Sequence, residues 1–538
     1  VTGTSKTIKT ITATGTSVDG LFSGYAWSGP ITYAFPTTSD DYTYTGEPTN
    51  NFGTISTQQQ TAARFALDAA AGTSANDGFS VEGFTAVNIS VGSTATSTLR
   101  FAETDGSGTA HAYYPTTADV GGDVWFGRAF NYRSPVAGNY AWATMLHEIG
   151  HALGLKHGHE VEDGFPALPA SKDSMEYSIM TYRSNIGGPT DGYMNEEFGY
   201  AQSYMMYDIA ALQRMYGADF TTNAGATVYK WNPNSGDTLV NGKVAIDAGG
   251  NRIFATIWDG GGNDTYDLSS YKTALSVDLR PGYHSKFSDV QLALLNFDTD
   301  AFARGNIFNA LLFKGDLRSL IENAKGGSGN DAIRGNQAAN VLQGNNGNDV
   351  LYGFDGNDKL YGGAGRDVLS GGNGNDALTG GAGADKLIGG SGVDTASYAD
   401  AIASVRASLA NPSINTGDAG GDTYSSIENL LGSAFNDRLI GNSGINKIAG
   451  GKGNDTLTGG GGADAFYFAT GYGRDIISDF QNNVDDIDLS SYNFSSISSV
   501  LSKSTQVGAD VQIKLASTDI IVLSNFKLSD LNASDFIL

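Results

Sequence analysis

Residues 326–397 read GGSGNDAIR GNQAANVLQ GNNGNDVLY GFDGNDKLY GGAGRDVLS GGNGNDALT GGAGADKLI GGSGVDTAS, eight consecutive nonapeptides that each open on glycine. Four more, GSAFNDRLI GNSGINKIA GGKGNDTLT GGGGADAFY, cover residues 432–467. The sixth position is Asp in ten units: Asp331, Asp349, Asp358, Asp367, Asp376, Asp385, Asp394, Asp437, Asp455 and Asp464. In the other two it is Asn340 and Asn446. The eighth position is a large apolar residue in every unit but one, where it is Ala396. Glycine gives the backbone positive φ and so turns carbonyl oxygens outward. The last three residues of each unit read as a short strand with its apolar side chain inward. Two units make one coil, so the turns of units n and n+2 stack at about one strand spacing, ~4.8 Å. Stacked carboxylates repel unless a hard cation with six to eight oxygen ligands lies between them, which is the coordination habit of calcium. A flexible Gly-rich linker does not keep a nine-residue phase over eight units.

The pattern resembles the Gly-Gly-x-Gly-x-Asp-x-apolar-x repeat of calcium-binding RTX proteins, which implies a parallel β-roll. Pairing n with n+2 gives eight stacked turn pairs across the two arrays, so about eight or more structural calcium ions are expected. Composition agrees with a cation-collecting chain. Acidic residues outnumber basic ones 57 to 32, a net charge of −25, which argues against nucleic acid and anionic membrane as partners. With 538 residues, 40% of them hydrophobic, two or more domains are expected. Cysteine is absent, which excludes disulfide scaffolds, thiol nucleophiles and Cys-ligated metals. No apolar run approaches the 18 residues of a membrane span, and VTGTSKTIKT has no signal-peptide pattern.

Ahead of the repeats, residues 1–230 are compositionally ordinary and read as an α+β domain. Helices are expected over 56–71, opening with a Ser-x-x-Gln capping box, over 139–153, and over 204–216. Strand-like alternation occupies 31–35, 87–91, 110–114 and 123–126. Residues 231–397 read as a β domain ending in the first array, 398–431 as a spacer, and 432–538 as the second array with a C-terminal β region.

Residues 147–157 read HEIGHALGLKH. His147 and His151, four apart on a helix, project from one face and can grip one metal. Glu148 is placed to take a proton from water activated there. Gly154 can end the helix in the left-handed conformation and bring His157 back as a third ligand. Three neutral imidazoles with an open position suit catalytic zinc.

This motif, followed by SIMTY at 178–182, resembles the metzincins, and with the RTX arrays the chain resembles the serralysins, secreted bacterial zinc endopeptidases. The likeness extends to DIAALQRMYG (208–217), IWDGGGNDTYDLS (257–269), ISDF (477–480) and the terminal DFIL. It implies an α+β metzincin domain followed by an all-β RTX roll. It further implies Met180 beneath the metal ligands, and Tyr182 as a fourth zinc ligand able to swing and support the oxyanion. A junction calcium site is implied at Asn223, Gly225, Thr227, Asp259, Gly261, Gly262 and Asp264. The segment AHAYYP at 110–115 is implied as the edge strand on which an extended peptide lies. Protein substrates of broad sequence, export by type I secretion machinery, an extracellular location and a monomer complete the expectation. Gly158 and His159 stand where serralysins usually continue with Pro, and His159 reads as a surface or packing residue. Two other functions compete. A calcium-folded adhesin with an inactive protease domain would be expected to have lost Glu148, and an RTX lipase would need a G-x-S-x-G elbow, which is absent.

Overall fold

The structure is a computed structural model describing residues 6–538. It divides into two compact units: residues up to Ser270 with Val277–Ile321, and Tyr271–Ser276 with Glu322–Leu538.

The first unit is built on a five-stranded sheet in the order Ile89–Val91, Ile31–Ala34, Leu99–Thr104, Asp123–Gly127, Ala110–Ala112. The first four strands are parallel, and the last pairs antiparallel with Asp123–Gly127 at the edge. Leu99–Thr104 is a strand that the alternation pattern does not predict. It is buried along its whole length, and its polar residues are buried with it. Arg100 carries a bidentate pair to Asp123, with both side chains fully buried, and its guanidinium lies 4.4 Å from the Tyr42 ring centre.

Three longer helices match the expected positions. Thr57–Leu67 opens at Ser56, whose hydroxyl accepts from Gln59 N in the capping box. It stops at Asp68, short of residue 71, because the Asp68 carboxylate accepts from Ala70 N and from the Tyr33 hydroxyl. Tyr140–Leu153 is capped by Asn139, and Met206–Tyr216 by an Asp208 capping box. The first two pack together through Phe65 and Trp142, with ring centres 4.8 Å apart.

The second unit is the expected β-roll. One sheet runs through Asn323–Lys325, Val341–Asn346, Lys359–Gly365, Ala377–Gly383, Thr395–Ser397, Asn429–Leu431, Lys447–Ala449, Ala465–Tyr467, Asp486–Asp488 and Phe536–Ile537. Successive strands of the arrays pair parallel 18 residues apart, which is the n to n+2 register. The eighth-position side chains, from Ile333 to Phe466, are all fully buried between the sheets. Mid-array strands are longer than the three residues expected. Lys359–Gly365 and Ala377–Gly383 each run seven, because the glycine turns also pair, as Gly363 does with Gly381.

The spacer, residues 398–431, carries strands of its own. Its strands Thr423–Ser425 and Asn429–Leu431 stack on Lys386–Ser391 and Thr395–Ser397, and Asn429–Leu431 then receives Lys447–Ala449. One face of the roll therefore continues from array to array. On the other, Thr423–Ser425 ends one sheet, and Arg406–Ser408 begins a new one with Arg438–Ile440. Among the described residues, no helix is long and apolar enough to cross a membrane.

Candidate active site

The helix Tyr140–Leu153 carries His147, Glu148 and His151 on a buried face. It ends at Gly154, in left-handed backbone at φ 110°. A Cβ there would lie 2.3 Å from the Tyr25 carbonyl oxygen, so the turn needs glycine for conformation and for space. The chain then reverses and delivers His157. Nε2 of His151 stands 3.1 Å from Nε2 of His147 and 3.0 Å from Nε2 of His157.

The other ring nitrogens fix what these three atoms are. His147 Nδ1 lies 2.7 Å from the Ile179 carbonyl, and His151 Nδ1 lies 2.7 Å from the Leu155 carbonyl. A carbonyl only accepts, so both Nδ1 atoms carry the proton and both Nε2 atoms present lone pairs. His157 Nδ1 faces Glu160 Oε2 at 3.0 Å. Burial holds all three imidazoles below the usual histidine range, His147 at about 3, and so favours the neutral form. Converging neutral lone pairs repel each other and fit a cation at their focus, and the triad is a group that could hold a metal.

Glu148 is buried, its Oε2 lacks a hydrogen-bond partner, and burial pushes its pKa up to about 8. Beside it opens a cavity of about 430 Å³, which Tyr182 also lines together with Phe130, Tyr140, Tyr193 and Tyr200. The Tyr182 ring lies 4.4 Å from His157 and stacks on His147 at 5.7 Å. Met180 is fully buried under the helix, and a Cβ at Gly150 would come within 2.5 Å of its sulfur. The strand Ala110–Ala112 borders the same cavity through Ala110.

Two residues that the sequence reading left without a role complete this site. Asp208 accepts from Ser178 Oγ, Ile179 N and Met205 N, and so pins the turn whose Ile179 carbonyl orients His147. Burial pushes its carboxyl up to about 7 despite those three donors. Its place at the third residue of a helix was the only local signal. Glu160 orients His157, and its carboxylate also approaches His159 Nε2 at 3.6 Å. The His159 ring packs 4.9 Å from Tyr182 and 5.3 Å from His157, beside the site rather than on an open surface.

The junction residues also come together. Thr227 N donates to Asp264 Oδ1, and Thr227 Oγ1 reaches the Asn223 and Gly225 carbonyls. Gly261 N donates to Asp259 Oδ1, with Gly262 next in the same loop. Burial and mutual repulsion push Asp259 up to about 8, and burial raises Asp264 to about 6.

In the roll, all twelve sixth-position side chains are at most 4% exposed. Eight keep a buried Oδ2 with no protein partner: Asp349, Asp358, Asp367, Asp376, Asp385, Asp394, Asp455 and Asp464. Asp331 and Asp437 turn theirs to Gly327 N and Ser433 N. Asn340 and Asn446 donate their amides to the Glu322 and Glu428 carbonyls.

Such a fold and site mark a metallopeptidase-type domain and a glycine-rich repeat roll. The family described as Peptidase M10 serralysin C terminal matches residues 218–538, and Matrixin matches residues 37–168. The first covers more than half of the chain, and the chain belongs to the serralysin family. Serralysin C of Dickeya chrysanthemi is 35% identical over 232 residues, covering 42% of each chain. Metallopeptidase AprA of Pseudomonas marginalis is 34% identical over 239 residues, covering 43% of this chain and 45% of that one. Serralysin of Proteus mirabilis is 35% identical over 251 residues, with coverages of 44% and 45%. The matched region thus spans less than half the length of each of these relatives.

Proposed function

We propose that the protein is a secreted zinc endopeptidase of broad specificity whose repeat unit folds on calcium. The observation that carries this reading is the convergence of three Nε2 lone pairs beside a buried, partnerless Glu148 oxygen. His147, His151 and His157 would hold the zinc, with Tyr182 as a further ligand. The bound ion supplies Lewis acidity, lowering the pKa of water toward about 7 and polarising the scissile carbonyl. Glu148 accepts the proton of the attacking water and returns it to the leaving amine. The Tyr182 hydroxyl donates to the oxyanion as charge develops.

An extended substrate pairs with the edge strand Ala110–Ala112 through main-chain hydrogen bonds, which make little demand on sequence. Calcium lies between stacked turns, at the junction loop and at about eight or more places along the roll. A roll that stays unfolded where calcium is scarce would pass a type I secretion channel and fold outside, as an extracellular monomer.

Glu148→Ala tests the reading. It is expected to keep one zinc per chain while casein hydrolysis falls by a factor on the order of 10²–10⁴. Activity within tenfold of the unaltered chain would remove Glu148 from the mechanism. Tyr182→Phe is expected to lower kcat more than it raises KM, and an effect on KM alone would count against the oxyanion role.

A further inference from the structure

We propose that the spacer between the two arrays builds two divalent-cation sites of its own, one from Asp385 with Asp422 and one from Asp394 with Glu428. The inference rests on the reading of the repeat carboxylates as calcium ligands and adds sites that the repeat pattern does not contain. Inside the first array, each step has one geometry. The backbone N–H of one sixth-position residue donates to Oδ1 of the Asp 18 residues on, as Asp349 does to Asp367 and Asp358 to Asp376, both at 2.8 Å. In the four steps that start from Asp349, Asp358, Asp367 and Asp376, the lower residue's Oδ2 stays buried and partnerless.

Continuing that phase from Asp385 and Asp394 leads to Ala403 and Pro412, whose side chains have no oxygen to offer. The spacer substitutes other residues from out of phase. Asp385 N donates to Asp422 Oδ1 at 2.9 Å, and Asp394 N donates to Glu428 Oε2 at 2.9 Å. Asp385 is 1% exposed and Asp394 0%, and Oδ2 of each has no partner. Among the described residues, no Lys or Arg forms an ion pair with any of these four carboxylates.

At the Asp394–Glu428 step a backbone oxygen gathers as it does inside the array. Within the array, a Cβ at Gly344 would lie 2.3 Å from Asp349 Oδ2 and 2.7 Å from the Gly362 carbonyl, so both oxygens face one small space. At the spacer, a Cβ at Gly389 would lie 2.4 Å from Asp394 Oδ2 and 1.9 Å from the Ser426 carbonyl. Asp422 is itself fully buried, and its Oδ2 accepts from the Tyr398 hydroxyl at 2.8 Å. An all-oxygen donor set of carboxylates and carbonyls selects a hard divalent cation of the calcium type.

The test counts calcium on the full chain, with zinc retained, by equilibrium dialysis and elemental analysis. Asp422→Asn and Glu428→Gln keep an oxygen to accept from Asp385 N and Asp394 N and remove the charge, Asp422→Asn also turning an amide NH2 toward the Tyr398 hydroxyl. Each variant is expected to bind one calcium fewer than the unaltered chain. The calcium midpoint of the far-UV circular dichroism transition is expected to rise severalfold. Unchanged counts and midpoints in both variants would overturn the spacer sites while leaving calcium in the arrays. An unaltered chain that bound no calcium would instead sink the underlying reading. If Asp422→Asn recovered no β-structure at any calcium concentration, Glu428→Gln would decide, since its site is separate. A full count and unmoved midpoint there would overturn the proposal.

Discussion

Around His147, His151 and His157, the protein supplies every contact except the one at the focus. Each Nδ1 has an oxygen partner, and the helix that carries two of the rings is packed against other elements. Along the roll the relation is reversed. The interior is a single file of apolar side chains, and eight buried carboxylate oxygens have no protein partner. A cation at the first site would be a guest in a structure that stands without it. Cations in the roll would be structural members, because a buried, unpaired charge is among the costliest things a fold can contain.

The sharpest way to break this contrast is to remove each metal in turn. Calcium depletion with zinc in place is expected to abolish most of the parallel β signal in far-UV circular dichroism, followed by autolysis. Zinc removal with calcium in place is expected to leave the spectrum nearly unchanged. Equal responses to the two treatments would mean that the regions do not differ as described.

Next in size is a pH effect of unusual sign. Burial raises Asp349, Asp358, Asp385 and Asp455 to about 7, and Asp394 and Asp464 to about 6. Unfolded aspartates titrate near ~3.9. A carboxyl whose folded pKa is the higher one opposes folding fully above that value, and the opposition fades as pH falls through it. Calcium-free protein is therefore expected to regain β-structure as pH drops from about 8 to about 5, the reverse of ordinary acid denaturation. A monotonic loss over that range would contradict the cation-bridge account.

Smaller effects probe each interior separately. Leu369→Ala, in the apolar file, is expected to lower stability by about 2–5 kcal/mol in saturating calcium, as measured by denaturant unfolding. Smallest is Asp208→Asn, which exchanges one of three accepted hydrogen bonds for a mismatched donor. It is expected to cost about 1–3 kcal/mol and to weaken zinc binding by roughly 10–100-fold through the Ile179–His147 contact. Unaltered zinc affinity would confine Asp208 to a purely structural part.

The two regions also differ in how much of them could be read from the amino acids alone. HEIGHALGLKH and the nonapeptides are local signals, in which the spacing of residue types already contains the geometry. Leu99–Thr104 escaped because alternation presumes one wet face. This strand has none, and Arg100 and Glu103 are buried against charged partners rather than exposed. Asp208 escaped for another reason. It lies far along the chain from His147, and only the folded turn at Ser178–Ile179 joins them. Asp422 and Glu428 escaped because the spacer abandons the nine-residue count while keeping the stack, and a period-based reading follows the count.

That stack has a consequence for how such a chain can change. Between Thr395–Ser397 and Asn429–Leu431, Ala396 stands directly against Leu430, and Leu430 against Ile448, although more than thirty residues intervene at the first step and only one coil at the second. The apolar file does not register how long the excursion was, only where it returned. The rim of the roll at this point behaves as a splice port. Length added within the excursion, with Arg406–Ser408 and Asp422 kept in place, costs little if the chain returns at the same rung, since loop closure costs grow only logarithmically with length.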